Sequence, residues 1–119
     1  MNYNGNMFRG RSSSDNGEVS AMTEFHCGQT ATLLTGTCSG GDIASGQLLG
    51  VVNADDSLDF HYYHLNTEGV LMAGKCHSTP TLGEDGLLVM HEQWQWLTGD
   101  RSSGESEVEE ISPKEIAPS

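Results

Sequence analysis

At 119 residues the chain has the length of one domain, and with 35% hydrophobic residues it can build only a thin core or one shared with a cavity. Five Lys and Arg against 17 Asp and Glu give a formal charge of −12, which argues against nucleic-acid backbones and anionic membranes, since both are held by basic patches. No apolar run approaches the roughly 20 residues of a membrane helix, and no apolar stretch after Met1 marks a secretory signal, so a cytoplasmic, bacterial-type location is expected.

Turn signals punctuate the chain at Asn16-Gly17, Gly28-Gln29, Gly40-Gly41, Asp55-Asp56, Glu68-Gly69, Asp85-Gly86 and Gly99-Asp100. These residues supply or tolerate the positive φ of tight hairpins. The intervals leave room for strands, predicted at Tyr3–Gly10, Glu18–Cys27, Thr30–Cys38, Ile43–Val52, Leu58–Asn66, Val70–Thr79, Leu87–Leu97 and Ser106–Ile111. Arg11–Gly17 and Gly99–Gly104 read as flexible loops, the second at a barrel mouth. Residues 1–111 then form one domain, and residues 112–119, with two prolines and few apolar groups, form a frayed tail. No segment carries a 3.6-residue apolar stripe.

Consecutive strands joined by short turns form an all-β, antiparallel, up-and-down meander. An open meander leaves two exposed edges, and closure into an eight-stranded barrel removes them. Such a barrel is filled by side chains or holds one small ligand. Glycines within strands, such as Gly36, Gly46, Gly50 and Gly74, suit its strong coiling. The alternative is an open curled sheet, kept in view by the weak echo between Gly46–Gly50 and Gly69–Gly74.

Strand alternation sorts the side chains into two faces. The most apolar choice turns Leu58, Phe60, Tyr62 and His64 inward, with Val70, Met72, Gly74, Cys76 and Ser78. It also turns in Leu88, Met90, Glu92, Trp94 and Trp96, then Ser106, Val108 and Glu110. Glu105, Glu107 and Glu109 become an outer acidic row. This arrangement encloses Glu92, Glu110 and His64, and buried carboxylates must be paired, hydrated or protonated. His64 beside Glu92 is the expected pairing, with Tyr62 and Ser78 as further hydrogen-bonding groups.

The expected function is the binding of one small, partly apolar molecule. Phe60, Tyr62, Met72, Trp94 and Trp96 would form the walls, and His64, Cys76, Ser78, Glu92 and Glu110 would be the polar groups. The alternative is an acid–base enzyme of isomerase, cyclase or lyase type, with Glu92 catalytic and His64 its partner. A third reading is an oligomeric structural or interaction protein, pairing as a homodimer through Leu71, Ala73 and Val89. In all these readings the aromatics can instead simply fill the barrel. Neither a cofactor nor a metal is expected, although His61, His77 and His91 could align on the outer face as three imidazoles. Cys27, Cys38 and Cys76 contain no C-x-x-C and read as buried thiols, with a Cys27–Cys38 bridge the alternative.

Five stretches carry a resemblance: Ser39–Ile43, Gly46–Gly50, Gly74–Pro80, His91–Trp96 and Ser102–Ser106. They are similar to those of small bacterial single-domain proteins that genome annotation often labels "N-acetylglutamate synthase", over roughly Tyr3 to Ile111. The resemblance implies no particular catalytic residues. In architecture, the barrel resembles lipocalin-like and avidin-like barrels, and fold alone does not fix function.

Overall fold

The computed structural model describes residues 2–13 and 17–111. Eight antiparallel strands follow one another: β1 (Met7–Ser13), β2 (Glu24–Thr30), β3 (Leu33–Gly40), β4 (Ile43–Val52), β5 (Leu58–Asn66), β6 (Leu71–Leu82), β7 (Leu88–Trp96) and β8 (Ser103–Glu110). Each pairs with its sequence neighbour, and β8 returns to β1 to close the barrel. Closure leaves no free edge, so the open curled sheet is excluded. Alternation produces the inside: in β5, Leu58, Phe60, His64 and Asn66 are buried while Asp59, His61, Tyr63 and Leu65 are exposed.

Three turns share one hydrogen-bond pattern. In 53–57, 66–70 and 83–87 the first amide donates to the fifth carbonyl and the fourth amide donates to the first carbonyl. The fourth residue has positive φ in each: Asp56 at 71°, Gly69 at 81° and Gly86 at 81°. Asp55 and Asp85 each brace the turn by accepting from the amide two residues on.

The meander gives the barrel two ends. The β2–β3, β4–β5 and β6–β7 turns lie at the lower end with residues 2–6. The β1–β2, β3–β4, β5–β6 and β7–β8 connections lie at the upper end. The lower end is packed solid by Phe8, Leu34, Val52, Leu58, Leu88 and Met90, all buried. Tyr3 is fully buried against this cluster, its hydroxyl donating to the Asp56 carbonyl. Burial, with Asp56 nearby, pushes the phenol up to about 12.

The first three strands depart from expectation. Arg11–Ser13, read as loop, continues β1, with Ser12 and Ser13 opposite Glu107 and Ser106. Gly28 and Gln29, read as a turn, lie inside β2 opposite Thr35 and Leu34. The chain reverses instead at Ala31, which takes a positive φ of 55°. The Gly28–Gln29 extension is held from below: Gln29 receives the Tyr3 amide on its side chain and donates its own amide to Asn4. Residues 18–23, read as strand, are irregular. Val70 is exposed beside the β5–β6 turn rather than inside the barrel. Of the Arg11–Gly17 loop, residues 14–16 lie outside the described residues, as does the tail at 112–119.

β1 and β2 pair only at Met7, Phe8 and Arg9 with His26, Phe25 and Glu24, then diverge upward. Residues 17–23 fold into that gap. The Gly10 amide donates to the Thr23 carbonyl at 2.9 Å, and Thr23 Oγ1 donates to the Gly40 carbonyl at 3.0 Å. Gly10 is required here because a Cβ would lie 1.9 Å from the Ser20 carbonyl oxygen. Register shifts at Gly10/Ser12, Cys38/Gly40 and Ile43/Ser45 bend the same rim.

Candidate functional site

The upper half of the barrel is lined by aromatic and titratable groups. Trp94 and Trp96 are both buried, two residues apart on the inner face of β7. Their rings lie 5.5 Å apart, and Trp96 meets Tyr62 edge-on at 5.8 Å and His64 at 5.7 Å. Phe60 continues the wall 6.2 Å from Tyr62. Small residues opposite make this density possible. A Cβ on Gly46 would lie 2.6 Å from His64 Cβ, and one on Gly74 would lie 2.5 Å from Tyr62 Cζ.

Glu92 sits among these rings. In register it faces Ser78 on β6 and Ser106 on β8. Ser106 Oγ donates to its Oε1 at 3.0 Å, and the Cys76 thiol also hydrogen-bonds to it. Part of Glu92 remains accessible and it borders the internal cavity, yet no cation approaches it among the described contacts. Burial therefore pushes its pKa up to about 7, against the two hydrogen bonds, which lower it. Burial first, and the Glu92 charge second, hold the Cys76 thiol far above its ordinary range. Cys76 is a hydrogen-bond donor here and not a thiolate nucleophile. Cys27, Cys38 and Cys76 are all free thiols, so the Cys27–Cys38 bridge is not formed.

The expected pairing of His64 with Glu92 is replaced by another. His64 is buried, and its Nε2 bonds Glu18 Oε1 at 2.6 Å. Asn66, next on the same face of β5, donates from Nδ2 to Glu18 Oε2 at 3.1 Å. Glu18 arrives from the irregular segment between β1 and β2 and folds over the upper mouth with Gly17 and Val19. The cavity beneath it measures about 40 Å³ and is bordered by Phe60, Tyr62, Cys76, Glu92, Trp94 and Trp96, among others. That is room for a few water molecules.

The other expected site residues are dispersed. Glu110 lies at the lower end, where its Oε1 accepts the Leu88 amide at 3.0 Å, so it cannot join the upper site. Met72 is half-buried at the upper rim against Thr98, beyond the cavity lining. Ser78 is inside, next to Glu92 in register, and its buried Oγ has no hydrogen-bond partner among the described residues. On the outer face, His61 pairs with Lys75 in register while His91 pairs with Thr79, so the three imidazoles do not line up. His77 is taken by Asp59 at 2.7 Å and His91 by Glu107 at 2.8 Å. Glu107 and Glu109 are half-buried rather than a free acidic row, Glu109 pairing with Arg9 at 3.0 Å. The proposed outer apolar patch splits: exposed Leu71 and neighbouring Ala73 border Tyr63 and Leu65, while Val89 stands on β7 beside Thr81 and Glu109.

A closed eight-stranded meander barrel belongs to an architecture whose interior is either filled by side chains or holds one small ligand. The profile of avidin-like proteins matches residues 1–111, and the chain belongs to that family. The similarity to chains labelled N-acetylglutamate synthase finds no support beside it. No curated protein matches the chain, and no solved structure does.

Proposed function

We propose that the protein binds one small, partly apolar molecule in the upper half of its barrel. Phe60, Tyr62, Trp94 and Trp96 supply the walls, and Glu92, with Ser106, Cys76 and His64, supplies the polar contacts. The observation that carries this reading is Glu92 itself. A barrel filled only for stability gains nothing from a largely buried carboxyl that has no cation beside it among the described residues, because its desolvation opposes folding. The Ser78 hydroxyl next to it in register, without a hydrogen-bond partner among the described residues, points the same way. Membership of a family of barrels that typically bind small molecules, biotin among them, supports the reading. A cavity of about 40 Å³ requires residues 17–19 to move outward before such a ligand enters.

Trp94 and Trp96 are the only tryptophans, so their fluorescence reports the lumen alone. A metabolite panel including biotin should contain a ligand that shifts the emission, with affinity lowered at least tenfold in Glu92→Gln. An unchanged spectrum across the panel would favour a filled core.

A second reading is favoured by one feature. With its pKa near 7, Glu92 can both give and take a proton at neutral pH. Acid–base turnover of an isomerase, cyclase or lyase type would survive as binding, but not as catalysis, in the same Glu92→Gln variant.

For a partner we propose a second copy of the chain, on the outer face of β4–β6. Leu49, Tyr63, Leu65 and Leu71 are between 44% and 65% exposed there, more apolar surface than an isolated barrel needs to show, and avidin-like proteins often form oligomers. Sedimentation equilibrium should give a dimer or larger, and Leu71→Glu should shift it toward monomer. A parent protein that stays monomeric at high micromolar concentration would rule the face out.

A further inference from the structure

Glu18 occupies a place built for a carboxylate. His64 and Asn66 stand two residues apart on the inner face of β5, and each directs an N–H at a different oxygen of the same carboxyl. Both donors are fixed independently of Glu18. Asn66 Oδ1 accepts the Glu68 amide at 3.0 Å and the Val70 amide at 2.9 Å, which orients its NH₂ group into the mouth. The His64 ring packs in a T-shaped arrangement with Trp96, 5.7 Å between centroids, and the His64 Cβ stands so close to Gly46 that no side chain would fit there. The two donors are buried to 2% and 7% exposure on a strand of the closed barrel. Their acceptor comes from an irregular segment, tied down at Ser20–Thr23 but not by backbone bonds at Glu18 or Val19 among those described.

We infer that His64 and Asn66 form the acid-binding end of the lumen, and that Glu18 is a tethered occupant which a free ligand carboxylate displaces. The ligand class is a small monocarboxylic acid with a short apolar body. Its carboxylate would take the two N–H donors, and its body would replace Val19 above Phe60, Tyr62 and the two indoles. The exchange keeps one negative charge on the clamp, so no new charge has to be buried. The inference rests on the lumen-binding reading above and adds the chemistry of the ligand. It also accounts for the small volume of the cavity, because part of the space is held by the chain's own side chains.

The test uses hexanoate and hexanamide, which match in shape and differ in the acid group. Tryptophan emission is followed in the parent protein, in Glu18→Ala and in Glu18→Gln, each shown to be folded by circular dichroism. Hexanoate should bind Glu18→Ala at least tenfold more tightly than the parent, and at least tenfold more tightly than hexanamide does. Glu18→Gln should lie between the two proteins. Adding His64→Leu to Glu18→Ala should abolish the preference for the acid. In the parent protein, which requires no variant to fold, millimolar hexanoate should speed amide hydrogen exchange across residues 17–22. Equal binding of acid and amide, with or without Glu18, would overturn the inference while leaving the lumen-binding reading intact. Absence of binding by both probes to folded Glu18→Ala would also overturn the inference, while the lumen-binding reading would still be decided by the metabolite panel.

Discussion

Glu92→Gln should make the barrel more stable at pH 8, by on the order of 3 kcal/mol, and should flatten its stability between pH 4.5 and 7 relative to the parent. The carboxyl has an ordinary value of 4.5 and a folded value of about 7. Between these limits the folded chain holds a proton that the unfolded chain has released. Its stabilising contribution is therefore complete below about pH 4.5 and is lost as pH rises through 7. The separation of the two values sets the size of the effect. Glutamine keeps the shape and still accepts from Ser106, but never ionises. Urea unfolding of both proteins at pH 4.5, 6 and 8 measures the difference directly, because the titrations of all other groups cancel between parent and variant. At pH 8 the gain corresponds to a rise of roughly 10 °C in midpoint for a domain of this size. A variant no more stable than the parent at pH 8 would show that water reaches the carboxylate freely, and the enclosed polar lumen would have to be abandoned. A protein that retains such a cost gains from it elsewhere, which is the physical basis for reading Glu92 as functional.

Alternation made much of this legible in advance. Leu58, Phe60, Tyr62 and His64 on one strand, and Met90, Glu92, Trp94 and Trp96 on another, turn inward as the apolar pattern requires. Barrel closure followed from the strand count and the cost of free edges. Alternation fixes which face a residue occupies, and not its height along the barrel. The apolar pattern therefore groups Glu110 with Glu92, although Glu110 braces Leu88 at the other end. Height depends on register, and register depends on where each turn falls. Gly28-Gln29 carries a turn signal, but the neighbouring residues 2–6 draw it into a strand and leave the reversal to Ala31. Glu18 was illegible for a different reason. It meets His64 across 46 residues of sequence from a segment without periodicity. The only signal in the sequence is indirect, that a histidine on an inner strand face needs an acceptor; that Glu92 is engaged by Ser106 across the strands emerges only from the structure.

Trp96→Ala should destabilise the barrel by about 3–5 kcal/mol, the range found for removing a large aromatic from a core. Trp96 is 4% exposed and is the ring against which Tyr62, His64 and Trp94 all pack. Its neighbours cannot collapse into the space, because strand closure fixes their backbones and Gly74 opposite offers no side chain to move in. Since domains of this kind are stable by only about 5–15 kcal/mol, the variant should lie close to its unfolding midpoint at 37 °C. Trp96→Phe keeps a ring for Tyr62 and His64 to pack against and should lose less than half as much. The hole left by alanine would adjoin the existing cavity, so free indole should occupy it and recover part of the lost melting temperature in Trp96→Ala while leaving the parent unchanged. Thermal melts with and without millimolar indole decide the matter. A small loss in Trp96→Ala, with no response to indole, would mean that the ring is not the keystone of the aromatic wall, and ligand contacts would then have to be sought on Phe60 and Tyr62 alone.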